Sequence, residues 1–489
     1  MIRRALQVLL LAVTAVAVAV AVNTLRHGSR QLAAAPLAPA PVDTEAAAER
    51  LAAVVRLQTI SVRPLPAATE REFLKLHTYL AQAFPHAHAA LSRDTVQQYS
   101  LLYTWAGREP AAAPILLMAH QDVVPVAPGT EGRWHAAPFA GEIRDGFVWG
   151  RGTWDDKCSL MAILEAVERL SAQGFAPRRT IYLAFGHDEE IGGADGASAI
   201  AALLQQRGVH PLFVLDEGMV IISGALPGLD RPAALIGIAE KGSATLRLTS
   251  NATPGHSSMP GPRSAIGVLA TALTRLERTP MRGGIRGVAA QMLETVAPEM
   301  RLANRVLLSN RWLFGPLIES RLAGLPATNA VLRTTTALTI VQGGNKDNVL
   351  PGEAQAWVNF RLLPGDTVAS LLVHAHDTVG DDSVSIEVEP GASEPSPVAP
   401  TDSEGYRLLS RTVREVYPDA VVAPGLMIGA TDSRHMTGLT HDIYRFLPVR
   451  ANTADLSRFH GTDERISIAD FADLIRFYER LISGAAGGP

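Results

Sequence analysis

The sequence predicts an α/β fold, a mostly parallel sheet flanked by helices, interrupted by a smaller inserted α+β lid or dimerisation domain. Two patterns carry that expectation. Residues 114–119 (PILLMA), 180–185 (TIYLAF) and 211–215 (PLFVL) are short continuous apolar runs, the mark of strands buried on both faces. A helical pattern separates the first two: Leu160, Ile163, Leu164 and Val167 share one face of a helix over 159–170, as in sheets covered by crossover helices. From about Lys241 the texture changes. Residues 244–250 alternate as a half-exposed strand, 264–276 read as a helix and 354–363 as another strand. At 489 residues the chain exceeds one ordinary core, so a second domain is expected.

Taken in order, the chain begins with Arg3 and Arg4 ahead of an uncharged run from Ala5 to Val22 in which only Gln7 and Thr14 are polar. That is close to the length needed to cross a bilayer, and the preceding basic residues favour an inside N-terminus. Two readings stay open for residues 1–22, an uncleaved signal anchor and a cleaved signal peptide; the length of the run favours the anchor. Both put the rest of the chain outside the cytoplasm. Residues 23–42, with Pro36, Pro39 and Pro41 among alanines, read as a linker or stalk. Helices are expected from Asp43, a good N-cap, and over 70–84. The expected main domain runs over 43–240 and 365–483, and the inserted domain over 241–364, with extra helices within 291–322. Phe471, Leu474, Ile475, Tyr478 and Ile482 pattern a closing helix, and residues 484–489 a disordered tail.

A net charge of −4 gives no electrostatic reason to expect nucleic acid as a partner. With Cys158 as the only cysteine, no intramolecular disulfide and no cysteine metal cluster can form.

In open parallel sheets, ligands bind just past the carboxyl ends of the strands. The first apolar run leads into His120-Gln121-Asp122, the second into His187-Asp188-Glu189-Glu190 and the third into Asp216-Glu217. A glycine-rich loop ending in Asp155-Asp156-Lys157 opens the helix at Ser159, and His460-Gly461-Thr462-Asp463-Glu464 precedes the last helix. Each segment alone is weak: an isolated histidine on a loop is usually a surface residue, and an Asp-Asp pair at a helix start usually a cap. Their convergence on one sheet edge gives the functional reading its force. Two histidines with several carboxylates suit zinc, with cobalt or manganese as substitutes. Two closely spaced metals need a shared ligand, and a carboxylate can bridge them. In the Glu-Glu pair, the second carboxylate can bind metal while the first acts as general base. Asp122 stands where it can hold the other ring nitrogen of His120.

The motifs HQDVVP, WGRGTWDDK, GHDEEIGG, LDEG, GHSSMP, NVLPGEA, GATDSRH and HGTDERIS follow one another in the order of the dinuclear zinc metallopeptidase family that includes glutamate carboxypeptidase, aminoacylase and succinyl-diaminopimelate desuccinylase. The resemblance spans nearly all of residues 44–482. It is strongest, through TTTALTIVQGGNKDNVLP and RFHGTDERIS, to the branch containing carboxypeptidase S and the N-fatty-acyl-amino-acid synthase/hydrolases. It implies two Zn2+: His120, Asp155 and Asp216 on one, Asp155, Glu190 and His460 on the other, with Asp155 bridging. It implies Glu189 as general base, Asp122 as the residue orienting His120, and a cis peptide at Asp155–Asp156. In the lid, His256 matches a histidine that in dimeric members reaches the partner's active site and stabilises the oxyanion, so a homodimer is implied. Asn348 and Arg361 match positions that contact the substrate, and Gly429, Thr431 and Arg434 lie on the matching substrate-side loop. Cys158 departs from the glycine of many members. The implied reaction is hydrolysis of an amide next to a C-terminal amino acid, in a peptide or an N-acyl amino acid. Reversible condensation of fatty acid and amino acid is the alternative. A non-catalytic receptor or scaffold retaining the fold is a remote one, because Glu189 and every ligand position are present.

Overall fold

The computed structural model describes residues 1–38 and 40–487. Pro39, one of the linker prolines, and Gly488 and Pro489 of the expected tail lie outside the described residues. The chain opens with α1 (Ile2–Arg26), α2 (Thr44–Val55), α3 (Ala67–Ala83) and α4 (Pro85–Ala90). Asp43 caps α2 by accepting from Ala46 N, which satisfies one of the free amides of its first turn. A hairpin of β1 (Ser92–Val96) and β2 (Ser100–Trp105) leads to β3 (Ile115–His120), then to β4 (Glu142–Arg144) and β5 (Phe147–Trp149). Next come α5 (Lys157–Ala172), β6 (Ile181–Gly186), α6 (Ala197–Gln206), β7 (Phe213–Ser223) and β8 (Ala233–Glu240).

The lid begins with β9 (Gly242–Asn251), β10 (Gly255–His256) and α7 (Ala265–Arg278). Four helices follow: α8 (Gly287–Val296), α9 (Leu302–Ser309), α10 (Arg311–Ala323) and α11 (Pro326–Leu332). Then come β11 (Thr335–Gly343), β12 (Val349–Leu350), β13 (Glu353–Leu362), α12 (Val368–Val379) and β14 (Val384–Val388). The chain returns through α13 (Glu404–Val416), β15 (Val421–Met427), β16 (Ile443–Asn452), β17 (Arg465–Ser467) and α14 (Ile468–Ala486).

The main sheet has the order β1-β2-β6-β3-β7-β16-β8-β15. It is mixed. Strands β6, β3, β7 and β16 run parallel, as do β8 and β15, while the β1-β2 hairpin and the contact between the two parallel blocks are antiparallel. The apolar runs form the expected strands β3, β6 and β7, and α5 covers them with a face that is almost wholly buried. Parallel register aligns His120 with Gly186 across β3 and β6, so both chains leave the sheet at one level.

The lid is a separate core. Strands β11-β13-β9-β14 form an antiparallel sheet whose Leu246, Leu248, Val358 and Phe360 pack against α7 and α12. Several boundaries differ from the sequence expectation. Helix α12 and strand β14 belong to the lid core through Leu371, Ala375 and Val384, so the insertion runs past 364 to at least Val388. Helices α8–α10 lie within the insertion in sequence but bury Val288, Leu293, Leu308 and Ile318 in the core of the main body. The linker is not a free stalk. Gln31 bonds both backbone groups of Val422, Leu37 N donates to Glu415 O, and Arg476 reaches Ala40 O. Disorder is expected from residue 484, but α14 continues to Ala486 with Ala485 and Ala486 buried.

Candidate active site

The site is built on strand ends. His120, the last residue of β3, is buried; its Nδ1 faces the Asp122 carbonyl oxygen at 3.0 Å and Asp122 Oδ1 at 3.4 Å. That fixes the ring and points Nε2 outward at Asp155 Oδ1, 2.9 Å away. The other Asp155 oxygen lies 3.0 Å from His460 Nε2, which also faces Glu190 Oε2 at 3.1 Å. Asp155 therefore presents one carboxylate oxygen to each histidine, the disposition of a bridging ligand. The Asp155–Asp156 peptide is cis.

Asp122 is more than a ring holder. Its carboxylate also accepts from Ser61 Oγ (2.5 Å), Glu189 N and Glu190 N. One buried acid thus sets both the His120 ring and the tight turn Glu189–Ile191 that follows β6. Gly192, at φ +107°, closes that turn in a conformation side chains disfavour. Asp216, within β7, is buried and accepts from Glu217 N and Ser433 N.

The carboxylates are crowded and buried. Burial, and then the neighbouring carboxylates, push Glu189 well above the ordinary carboxyl range. Glu190 rises for the same reasons, with His460 opposing, and burial raises Asp216 against the amides that bond it. His460 is held up at about 10 by hydrogen bonds to Asp155 and Glu190. Glu190 Oε1 is buried with no hydrogen-bond partner among the described residues. Crowded acids, an orphaned oxygen and ligand atoms of His120, Asp155 and Glu190 within 4.8 Å of one another fit a divalent cation.

One pair that sequence reasoning left out holds the site together. Glu464, fully buried, accepts from the backbone N–H groups of Gly152, Trp154 and Asp155. Its other oxygen takes a 2.6 Å bond from Arg151, which also donates to the carbonyls of His460 and Gly461. The Asp155 loop and the His460 loop are locked by this ion pair. Both residues stand inside recognised motifs, but nothing in the sequence links positions so far apart. Cys158 is buried, donates to Trp154 O, and its thiol is pushed well up by burial; it is a packed bystander.

Beside this group of carboxylates and imidazoles opens a cavity of about 700 Å³, within the range of small-molecule sites. Asp155, Glu189, Glu190 and His460 form its floor, Arg361, Gly429 and Arg434 stand on its rim, and Met219, Val220, Leu235, Leu426, Ile428 and Phe459 make an apolar wall. Arg434 donates to Gly192 O, and Arg361 is exposed. Thr431 is fully buried and bonds Glu240, which in turn holds Arg445, so it shapes the loop from behind. His256 and Asn348 adjoin each other at the exposed lid tip, where Ser257 N donates to Asn348 O; neither is among the residues lining the cavity.

A strand-edge cluster of imidazoles and carboxylates under an inserted lid defines a metal-dependent hydrolase of the metallopeptidase and amidohydrolase class. The chain belongs to the peptidase family M20/M25/M40, whose family model matches residues 116–484. It is 43% identical over 470 residues to a probable carboxypeptidase S-like protein of Dictyostelium discoideum, covering 94% of this chain and 90% of that one. It is 45% identical over 415 residues to an N-fatty-acyl-amino acid synthase/hydrolase of Homo sapiens, covering 83% and 81%. Carboxypeptidase S of Saccharomyces cerevisiae is 29% identical over 498 residues, covering 91% and 85%. In fold it is similar to an M20 family metallo-carboxypeptidase from Sulfolobus solfataricus, with a TM-score of 0.63, 18% identity, and 90% and 99% of the two chains covered.

Proposed function

We propose that the chain hydrolyses N-acyl amino acids at a two-zinc centre, with the acyl arm in the apolar cavity and the amino-acid carboxylate on the rim arginines. The cavity carries this reading: Met219, Val220, Leu235, Leu426, Ile428 and Phe459 line the same space as Asp155, Glu189, Glu190 and His460. His120, Asp155 and Asp216 would hold one zinc, and Asp155, Glu190 and His460 the other. When bound, the metals supply Lewis acidity that activates water and polarises the scissile carbonyl. Glu189 takes the proton from the attacking water and delivers it to the departing amine nitrogen, a role suited to a carboxyl lifted by burial. Asp122 keeps the His120 ring in place. Arg361 and Arg434 hold the free carboxylate, since guanidinium offers paired donors. Run backwards, the same groups condense a fatty acid with an amino acid.

Two further parts of the reading concern place and assembly. The end of α1 has a receptor on the body: Asn310 bonds Val20 O and Thr24 Oγ1, and Arg305 bonds the Thr24 and His27 carbonyls. A buried seat for the helix end supports a retained anchor that tethers the enzyme outside the cytoplasm. That His256 is not among the residues lining its own chain's cavity supports a dimer in which the lid of one subunit serves the other.

The test is a substrate panel on the zinc-loaded chain. N-oleoyl-phenylalanine is expected to be cleaved with a higher kcat/KM than glycyl-leucine. Glu189→Gln should lower kcat by roughly 10²–10⁴-fold while zinc content, read by atomic absorption, stays at the wild-type level. Cleavage of dipeptides alone would overturn the acylase reading.

A further inference from the structure

Helix α10 is apolar on both faces. Phe314, Ile318 and Leu322 pack against the main body, which explains its inner stripe. Its outward stripe, Trp312, Leu313, Pro316 and Leu317, follows the helical repeat over the first two turns and is exposed, Trp312 at 58% and Leu317 at 46%. An exposed face of this kind on a folded body marks an interaction surface.

The position of α1 says what covers it. None of the most apolar 18-residue stretch of α1 is buried, and the helix first meets the body at Val20 and Thr24. The residue that receives it is Asn310, two positions before Trp312, and Trp312 Nε1 donates to the same Asn310 side chain at 3.3 Å. The level at which α1 leaves the body is therefore the level of Trp312. From Arg3 to Val20 the helix spans about 25 Å, close to a hydrocarbon core of about 30 Å. With α1 across a bilayer, the start of α10 lies at its surface, where tryptophan partitions. Arg321 stands in the last turn of the same helix, as anionic headgroups favour. The next helix, α11, supplies Ala327 and Val331 to the wall of the active-site cavity.

We propose that the outward face of α10 is seated in the lipid headgroup boundary beside α1, and that the active-site cavity takes acyl substrates directly from that bilayer through the α10–α11 side. The second half rests on the N-acyl-amino-acid reading; the first does not. A substrate held by its acyl chain in the membrane would then present its head first, its carboxylate reaching Arg361 and Arg434 and its tail following along the apolar wall.

The full chain is reconstituted in phosphatidylcholine vesicles doped with phosphatidylglycerol, with and without brominated acyl chains. Bromines near the top of the acyl chain are expected to quench a tryptophan component that disappears in Trp312→Phe. Unchanged quenching in that variant would overturn the seating, whatever the enzyme cleaves. In the second arm, Trp312, Leu313 and Leu317 are all replaced by Glu. Because burying each such side chain is worth tenfold or more, turnover of vesicle-dissolved N-oleoyl-phenylalanine should fall at least about tenfold, with hydrolysis of soluble N-acetyl-phenylalanine unchanged. Equal rates on the vesicle substrate would refute delivery from the bilayer. A shift from dimer to monomer in detergent on making the triple substitution would show the face joins copies of the chain, and would also overturn the proposal. If no N-acyl amino acid is cleaved at all, the functional reading fails while the quenching still decides the seating.

Discussion

His460 and Glu464 stand four residues apart and act on the metal site in different ways. In the metal-free protein His460 keeps its proton up to about pH 10, because the Asp155 and Glu190 carboxylates bond it. An ordinary imidazole would lose it near pH 6.5. A metal ion must displace that proton, so apparent zinc affinity should keep rising with pH by about tenfold per unit through the neutral range. Chelator competition at about pH 6, 7 and 8 reads this slope, and an affinity that levels off above pH 7 would contradict the coupling. Glu464 works through the backbone. Replacing it by Ala strips three amides of their acceptor and leaves Arg151 buried without its partner. Breaking a buried pair costs about 3–5 kcal/mol, so Glu464→Ala should lose that much in denaturant unfolding and bind zinc more weakly. A loss under about 1 kcal/mol would mean that the pair is ornamental.

The elements that placed the site were readable because buried parallel strands advertise themselves as apolar runs, and each run ended on a titratable group. His120, Glu189 and Glu190 could thus be set on one sheet edge before any fold was seen. The hairpin Ser92–Val96 and Ser100–Trp105 was not readable, since its outer strand is polar and mostly exposed. The seats of α8–α10 and α12 were missed for another reason: periodicity shows that a helix buries a face, not which core receives it. That difference is measurable. Ile318, on α10, is buried in the main body, and Leu371, on α12, in the lid. Each change to Ala should cost about 2–5 kcal/mol, in different places. Hydrogen exchange should quicken over α8–α10 in Ile318→Ala and over β9 and β13 in Leu371→Ala. Loss of lid protection in Ile318→Ala would tie the helical segment to the lid instead.

At the scale of the whole molecule, the lid tip that carries His256 does not line the cavity of its own chain. The lid has its own core, and its outer strand β11 leaves Leu338, Ile340 and Val341 exposed along an unpaired edge, with Met259 and Val349 exposed near the tip. Proteins rarely leave a long apolar edge strand open to water. A second copy meeting this edge would satisfy its backbone groups and carry its own His256 towards the first subunit's metal site. In such a dimer each cavity needs Glu189 from one chain and His256 from the other. Glu189→Gln and His256→Ala, each nearly inactive alone, should therefore rescue each other when unfolded together and refolded as a mixture. Half the dimers would be mixed and one of their two sites intact, so about a quarter of wild-type activity should return. Val341→Glu, which puts a charge into the edge, should abolish both the dimer in sedimentation and the rescue. If mixing restores nothing while the chains still associate, His256 must reach the cavity of its own subunit by closure of the lid.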